Sequence, residues 1–522
     1  MKTVYSLINS IDINRGGLTR VMLERASYLA DRGYDAKLLT IDYSERYDEI
    51  EQTLHATNRL SRKVQILNVY EYYKKLNSRG PVTEKQLEKY DLESQLFEPG
   101  FFIEDNMEGK HEARYFTKEG LYVKYKKWTK DGKLEFIDYF DETRAKFKRE
   151  LYQSSGYKKK VIYFDKSTTI PKQELLYTED GFCYLNIQIN TETKKPNLIF
   201  LFDRETNKVT SFGTSNPLLL FHAHWLNEIC EAHEQKPYLI NDGIFLTHTI
   251  LKVKKEAAFK ICTIHINHFD APFVYGSPLR KSHVHLLNNI EHIDALVLLT
   301  DTQKNQIEKQ FGDYNNAHVI PNATRTADIE VYNGEKDPNL ISIVGRYHPQ
   351  KIMDDAIKAF KIVTKQFPDA KLQLFGSGPD EGDLRKLVRD LELDNNVSIN
   401  GYTTELSEIY GKSLFTVFTS IYEGFGLVLL ESMFQKTPVI SYDVSYGPGD
   451  IIDHQKDGIL VYENSVDQLA KEMISMLSNP QLAIDMGEKA HQKVMEKFTY
   501  EQTINKWVDL IESFELQTVN AQ

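Results

Sequence analysis

Two cations and two carboxylates in the C-terminal half have the types and spacing needed to handle a phosphorylated sugar. In IVGRYHPQK, Arg346 stands at the end of an apolar run and Lys351 follows in the same loop. A planar guanidinium and a compact ammonium placed together can neutralise a diphosphate. Further on, YEGFGLVLLE sets Glu423 and Glu431 on either side of Gly424, Phe425, Gly426 and Leu427. A glycine turn that opens a helix presents free N–H groups and the positive end of the helix dipole to an anion. Glu423, ahead of that turn, can accept hydrogen bonds from sugar hydroxyls. Glu431 lies one turn into the expected helix among Leu429, Leu430 and Met433. A carboxylate buried there is costly without a partner, and ribose hydroxyls are one such partner.

Each of these signs has a plain alternative: two surface cations at a loop, an acid at a helix start, a half-exposed glutamate. Weaker still by themselves are the glycine turn Gly376-Ser377-Gly378, the polar turn at Tyr402 and Thr403, and the Gly16-Gly17 loop near the N-terminus. His265 and His268, in KICTIHINH, follow a strand-like run, where a lone histidine is commonly structural. His222 and His224 in FHAHW have no third ligand at useful spacing and read as ordinary helix or strand histidines. No Asp-x-Asp sequence occurs in the chain, so a metal clamp on a nucleotide diphosphate is not expected and cations with a helix dipole would take its place.

These residues need elements to hold them. The chain opens with a strand, VYSLINSI, a loop through Gly16-Gly17 and a helix with Val21, Met22, Ala26 and Leu29 at helical spacing. The runs AKLLTI and VQILNV continue a strand–helix–strand pattern of parallel-sheet type. From about Val69 to Thr210 the language changes to aromatic and β-branched runs such as LYVKYKKW, LEFIDYF and CYLNIQI, with glycine turns between several of them, which predicts an antiparallel meander. The parallel pattern resumes with PYLIND, AAFKICTIHI and DALVLLT, and a second series starts at LISIVGR. We therefore expect an α/β protein with a discontinuous N-terminal Rossmann-like domain (1–68 and 211–320), an inserted β-rich domain (69–210) and a C-terminal Rossmann-like domain (321–500). A last helix (501–522) is expected to pack back on the N-terminal domain.

Composition narrows the function. The 522 residues, 41% hydrophobic and 27% charged, are those of a globular chain long enough for two or three domains. A net charge of −11 argues against a dedicated nucleic-acid binder. The run Lys158-Lys159-Lys160 reads as a solvated turn or strand end, and the three scattered cysteines fit a reducing compartment. Neither a signal peptide nor a membrane span is apparent, so a cytoplasmic protein is expected, working at most peripherally at a membrane.

The ordered set GR…K, FGSGP, GY and E-x7-E resembles the retaining glycosyltransferases of family 4, which have the two-domain GT-B fold. The GG loop, the insertion, IHINH and YGPGD make the chain similar to a bacterial subgroup. Members of that subgroup add α-linked glucose or N-acetylglucosamine to wall teichoic acid, or N-acetylglucosamine to serine-rich surface proteins. The resemblance implies that Arg346 and Lys351 hold the donor diphosphate, that Glu431 binds ribose and Glu423 the transferred sugar, and that Gly16 and Gly17 approach the phosphates. It also places His265 against the sugar from the N-terminal domain. The implied partners are UDP-glucose or UDP-N-acetylglucosamine and an anionic polymer, teichoic acid in first place with a Ser-Asp repeat protein as the alternative, and no cofactor or metal. The β-rich insertion would bind the acceptor or join copies into a homo-oligomer. Two rivals stay open: a non-catalytic glycan-binding partner of a sister enzyme, and a sugar-phosphate synthase or phosphorylase of the same architecture.

Overall fold

The computed structural model describes residues 2–13, 17–44, 46–105, 111–213, 215–324, 329–462 and 465–520. Two parallel sheets are built on one plan. In the N-terminal domain the strands run, from one edge, Ala317–Val319, Ala295–Leu298, Phe259–Thr263, Tyr238–Asn241, Thr3–Ile8, Asp35–Thr40 and Gln65–Asn68. In the C-terminal domain the order is Val397–Asn400, Lys371–Phe375, Asp337–Val344, Ser413–Phe418, Val439–Tyr442 and Ile459–Val461. Counted within each domain, both orders contain 3-2-1-4-5-6, the doubly wound arrangement whose crevice opens where the first strand lies beside the fourth. The strands are continuous apolar runs because helices cover both faces. Ser413–Phe418, for example, is buried at every position.

This topology sets where a ligand can lie. In the C-terminal domain the crevice is bounded by the carboxyl ends of Asp337–Val344 and Ser413–Phe418, so Arg346 leaves one wall and Glu423 the other. In the N-terminal domain Thr3–Ile8 and Tyr238–Asn241 form the equivalent pair. The strand Tyr238–Asn241 enters the chain only after the insertion, and the sheet closes around it.

The insertion is a ten-stranded antiparallel meander, Phe102–Asp105 through Lys208–Gly213, each strand pairing with its neighbours in sequence. Two helices precede it, Val69–Asn77 and Glu84–Ser94, and Tyr90 of the second packs on Leu134, Ile137 and Tyr152. Its last strands are continuous with the N-terminal core, where Leu185, Ile199 and Phe212 meet Tyr73, Phe221 and Trp225. The lysine run lies at a strand end, the second of its two expected places, but it is not left to solvent. It forms the first half of the strand Tyr157–Phe164, with Lys160 buried against Glu174 at 2.7 Å and Lys158 paired with Glu150 at 3.2 Å. The acids on neighbouring strands supply what solvent would have supplied.

The helix Tyr500–Asn520 crosses back to the first domain, where Ile504, Trp507, Leu510 and Ile511 join the cluster of Val4, Met22 and Ala26. The two halves are thus tied by chain as well as by contact. Among the described residues no helix is long and apolar enough to cross a membrane.

Candidate active site

On the C-terminal side, two glycines serve a close approach of backbone to backbone. A Cβ at Gly376 would sit 1.9 Å from the Gly345 carbonyl oxygen, and one at Gly378 would sit 2.1 Å from that of Tyr347. The turn through Ser377 therefore locks onto the strand end that carries Arg346, with Tyr347 N donating to Ser377 O at 3.0 Å. Arg346 itself is exposed and makes no side-chain ion pair with another described residue. Lys351 ends a single helical turn, Pro349–Lys351, docked on the facing loop: Thr419 Oγ1 donates to Lys351 O at 2.7 Å, and Gln350 Nε2 to Tyr422 O at 2.9 Å. Its ammonium meets Glu423 Oε1 at 2.5 Å, the two side chains only 15% and 12% exposed. A cation and a carboxylate far apart in sequence thus share one point at the mouth of the crevice.

Beyond Glu423 the turn is shaped by contacts on both sides. Gly426 has φ 99°, in the left-handed region that favours glycine, and caps the helix Leu427–Phe434. At Gly424 a Cβ would lie 2.1 Å from the carbonyl oxygen of His265, so this glycine lets the two domains touch beside Glu423. Phe425 is 3% exposed, and its side chain packs with Phe418, Leu429 and Phe498. Leu427 opens the helix and is half-buried. Glu431 is 13% exposed, and its charge is met by Arg20 of the other domain at 2.8 Å and by the Tyr410 hydroxyl at 3.3 Å. At the third strand end Tyr402 is 77% exposed, while Thr403 Oγ1 accepts from the backbone N–H of Glu405 at 3.1 Å and shapes its own turn.

The N-terminal side is built differently. Gly17, φ 58°, leads into the helix Leu18–Asp31, and Gly16 lies outside the described residues. His265 stands just past the strand Phe259–Thr263, its Nε2 2.9 Å from Asp242 Oδ1. Asp242 follows the strand Tyr238–Asn241 and is fully enclosed. Arg25 grips both its oxygens, Nη1 to Oδ1 at 3.1 Å and Nη2 closely to Oδ2, and Nη2 also reaches Ser6 Oγ at 2.9 Å. Burial works against ionisation of Asp242, but Arg25 and His265 outweigh it and hold the carboxyl down at about 2. An ionised Asp242 accepts, so Nε2 of His265 is the N–H donor and the ring is fixed in orientation. Arg25 and Asp242 are not among the residues expected from sequence. A charged residue one position before Ala26 on an apolar helix face and the final aspartate of PYLIND are the available signals.

His268 does not face the cleft: it is fully buried, stacks on Tyr446 with centroids 5.7 Å apart, and burial drives its pKa down to about 3. His222 is likewise buried, in the helix Pro217–Glu231, and burial lowers it to about 4. Among the described residues no three His, Cys, Asp or Glu side chains converge as a metal site.

The comparisons with known proteins converge on these elements. Residues 324–493 match the model of glycosyl transferases group 1. The C-terminal domain is a group 1 glycosyltransferase domain. Arg346, Lys351, Glu423 and Glu431 all lie within that transferase domain. Over nearly the whole chain, 98%, the protein is 27% identical to the poly(ribitol-phosphate) alpha-N-acetylglucosaminyltransferase of Staphylococcus aureus (strain COL), all of which it spans. It is 22% identical over 96% of its length to the poly(glycerol-phosphate) alpha-glucosyltransferase of Bacillus subtilis (strain 168), covering 74% of that protein. The crystal structure of a point mutant of S. aureus TarM in complex with fondaparinux, alpha-GlcNAc-glycerol and UDP matches with a TM-score of 0.83 at 25% identity, over 98% of this chain and 99% of that one. The transferase domain, the N-terminal Rossmann-like domain and the inserted sheet are all included, so the chain has the GT-B fold.

Proposed function

We propose that the protein is a retaining hexosyltransferase that moves glucose or N-acetylglucosamine from a UDP-sugar, in α linkage, to hydroxyls of a polyol-phosphate polymer of the wall teichoic acid type. The observation that carries this reading is the Lys351–Glu423 pair at the strand-end crevice of the transferase domain, with the backbone of His265 closing over Gly424. The whole-chain similarity to a polyribitol-phosphate and a polyglycerol-phosphate transferase supports the polymer acceptor.

In this mechanism the bond from the anomeric carbon to the diphosphate oxygen breaks and its electron pair leaves with UDP. Arg346, Lys351 and the N-terminus of the helix Leu427–Phe434 meet charge that grows only as that bond opens, which is where stabilisation accelerates the reaction. These groups supply the neutralisation, and we assign no metal to the step. The acceptor hydroxyl attacks from the face the diphosphate leaves and passes its proton to the departing phosphate oxygen, so the anomeric configuration is kept. Glu423 is a poor covalent nucleophile, since Lys351 at 2.5 Å compensates its charge. It instead accepts from sugar hydroxyls and places Lys351. His265, oriented by Asp242, faces the sugar from the opposite domain, and contact between the domains excludes water.

Incubating the protein with UDP-glucose and UDP-N-acetylglucosamine, each with polyribitol phosphate, polyglycerol phosphate or a Ser-Asp repeat peptide, tests the reading. The expected product is a polyol phosphate heavier by one or more hexoses, with an α-anomeric proton by NMR. Transfer to the peptide alone would reassign the acceptor, and a β-anomer would remove the proposed mechanism. No UDP release with any acceptor would favour a non-catalytic partner.

A further inference from the structure

Arg20 is the third residue of the helix Leu18–Asp31 in the N-terminal domain, immediately beyond the glycine loop. Its guanidinium leaves that domain and meets Glu431 Oε1 of the transferase domain at 2.8 Å, while Tyr410 donates to Oε2 at 3.3 Å. Both oxygens of the carboxylate are therefore held, yet each keeps a lone pair for a further donor. The side chains are 33% and 13% exposed, so the pair sits in the cleft wall rather than on an outer surface.

A carboxylate that accepts ribose hydroxyls stands only one sugar away from a pyrophosphate carrying at least two negative charges. Left uncompensated in a cleft screened poorly by solvent, it would repel the group that the donor site must hold. Lys351 meets Glu423 and makes no contact with Glu431 among the described residues. Arg346 is on the other wall of the crevice. The charge that offsets Glu431 comes from across the cleft.

We propose that Arg20 is a positioning residue of the donor site: supplied by the N-terminal domain, it cancels the charge of Glu431, so that this carboxylate takes the ribose without repelling the pyrophosphate. The inference rests on the reading of Glu431 as the ribose acceptor. It also makes the N-terminal domain part of the nucleotide site, since donor affinity then depends on the two domains being together.

The test is titration calorimetry of UDP and of uridine, which lacks the phosphates, on the full chain and on Arg20→Gln, Arg20→Lys and Glu431→Gln. Arg20→Gln should weaken UDP binding about tenfold while uridine changes by less than about twofold, and Arg20→Lys should recover most of the loss. Unchanged or tighter UDP binding in Arg20→Gln overturns the proposal, and so does an equal loss for both ligands, which would mark a merely structural contact. If Arg20→Gln folds poorly, the same ratio of UDP to uridine affinity read on Arg20→Lys decides: a ratio near that of the unaltered chain supports a charge role, and a collapse of both affinities contradicts it. Glu431→Gln should weaken uridine as well as UDP; unchanged uridine affinity there would sink the ribose reading and the proposal with it, whereas a normal Glu431 result with a negative Arg20 result sinks the proposal alone.

Discussion

The two Rossmann-like domains carry charge at the same topological point and use it in opposite ways. In the transferase domain the crevice beside the first and fourth strands ends in Lys351 and Glu423, 15% and 12% exposed, with an exposed Arg346 beyond them. In the N-terminal domain it ends in Arg25 and Asp242, whose side chains are 4% and 0% exposed and whose outlet to the cleft is His265. One pair is presented, the other enclosed. A presented pair can exchange its partner for a ligand, whereas an enclosed pair cannot be separated without leaving a charge in the core. The same sheet architecture thus leaves one pair open to the cleft and encloses the other as a rigid bearing for one histidine.

The most drastic way to sharpen this contrast is Lys351→Ala. If Lys351 meets charge in the transition state, as proposed, its removal should lower kcat about a thousandfold. The melting temperature should stay within a few degrees, because the site opens to solvent. Steady-state assay beside thermal melting checks both halves, and normal turnover would remove Lys351 from the leaving-group site.

Asp242→Asn should do the reverse. It leaves the Arg25 guanidinium buried without a counter-ion, at a cost of about 3 kcal/mol in unfolding free energy, readable from the denaturant midpoint. Turnover per folded molecule should fall less than in Lys351→Ala. If Asp242→Asn melts normally but is inactive, the enclosed pair is catalytic in its own right and the contrast fails.

The same contrast explains what the sequence reveals. The C-terminal grouping is legible because its pieces fall within one stretch, from Arg346 to Glu431, just past strand ends that periodicity locates or, for Glu431, in the helix that follows one. The insertion is legible as a meander because each strand pairs with the next, so local pattern suffices. The N-terminal site is not, because Arg25 and Asp242 are separated by 217 positions with the whole insertion between them. Only the closing of the sheet around Tyr238–Asn241 brings them together. The inward turn of the Phe425 side chain is illegible for a related reason: its partner Phe498 lies far along the chain. The partner of Glu431 stays open in the sequence for the same reason, since ribose is one candidate and Arg20 lies in the other domain.

Acid stability gives a smaller effect with a definite sign. Burial keeps His222, His268 and His283 neutral, with pKa values lowered from 6.5 to about 4, 3 and 4. As pH falls below 6.5 the unfolded chain takes up protons that these rings refuse, so stability declines by up to about 1.4 kcal/mol per pH unit for each ring until the folded values are reached. Asp242 acts later: its contribution is intact above 3.8 and is lost as pH approaches about 2. Denaturant midpoints between pH 7 and pH 4.5 should fall steadily, and His268→Gln should flatten that slope. A flat profile in the unaltered chain would show that these rings are protonated in the folded state.

The smallest effect is expected at Tyr402. Its ring is 77% exposed just past the strand Val397–Asn400, in a turn that Thr403 braces by accepting from the backbone N–H of Glu405. If the turn reads the base edge through backbone groups, Tyr402→Ala should change KM for the UDP-sugar by no more than about twofold and leave kcat alone. Aromatic stacking on a base contributes about 1–3 kcal/mol, so a rise of tenfold or more would mean that the ring swings over the uracil when the donor binds. That result would move Tyr402 from the rim of the presented site into its contact surface, and would make the donor site larger than the strand ends alone define.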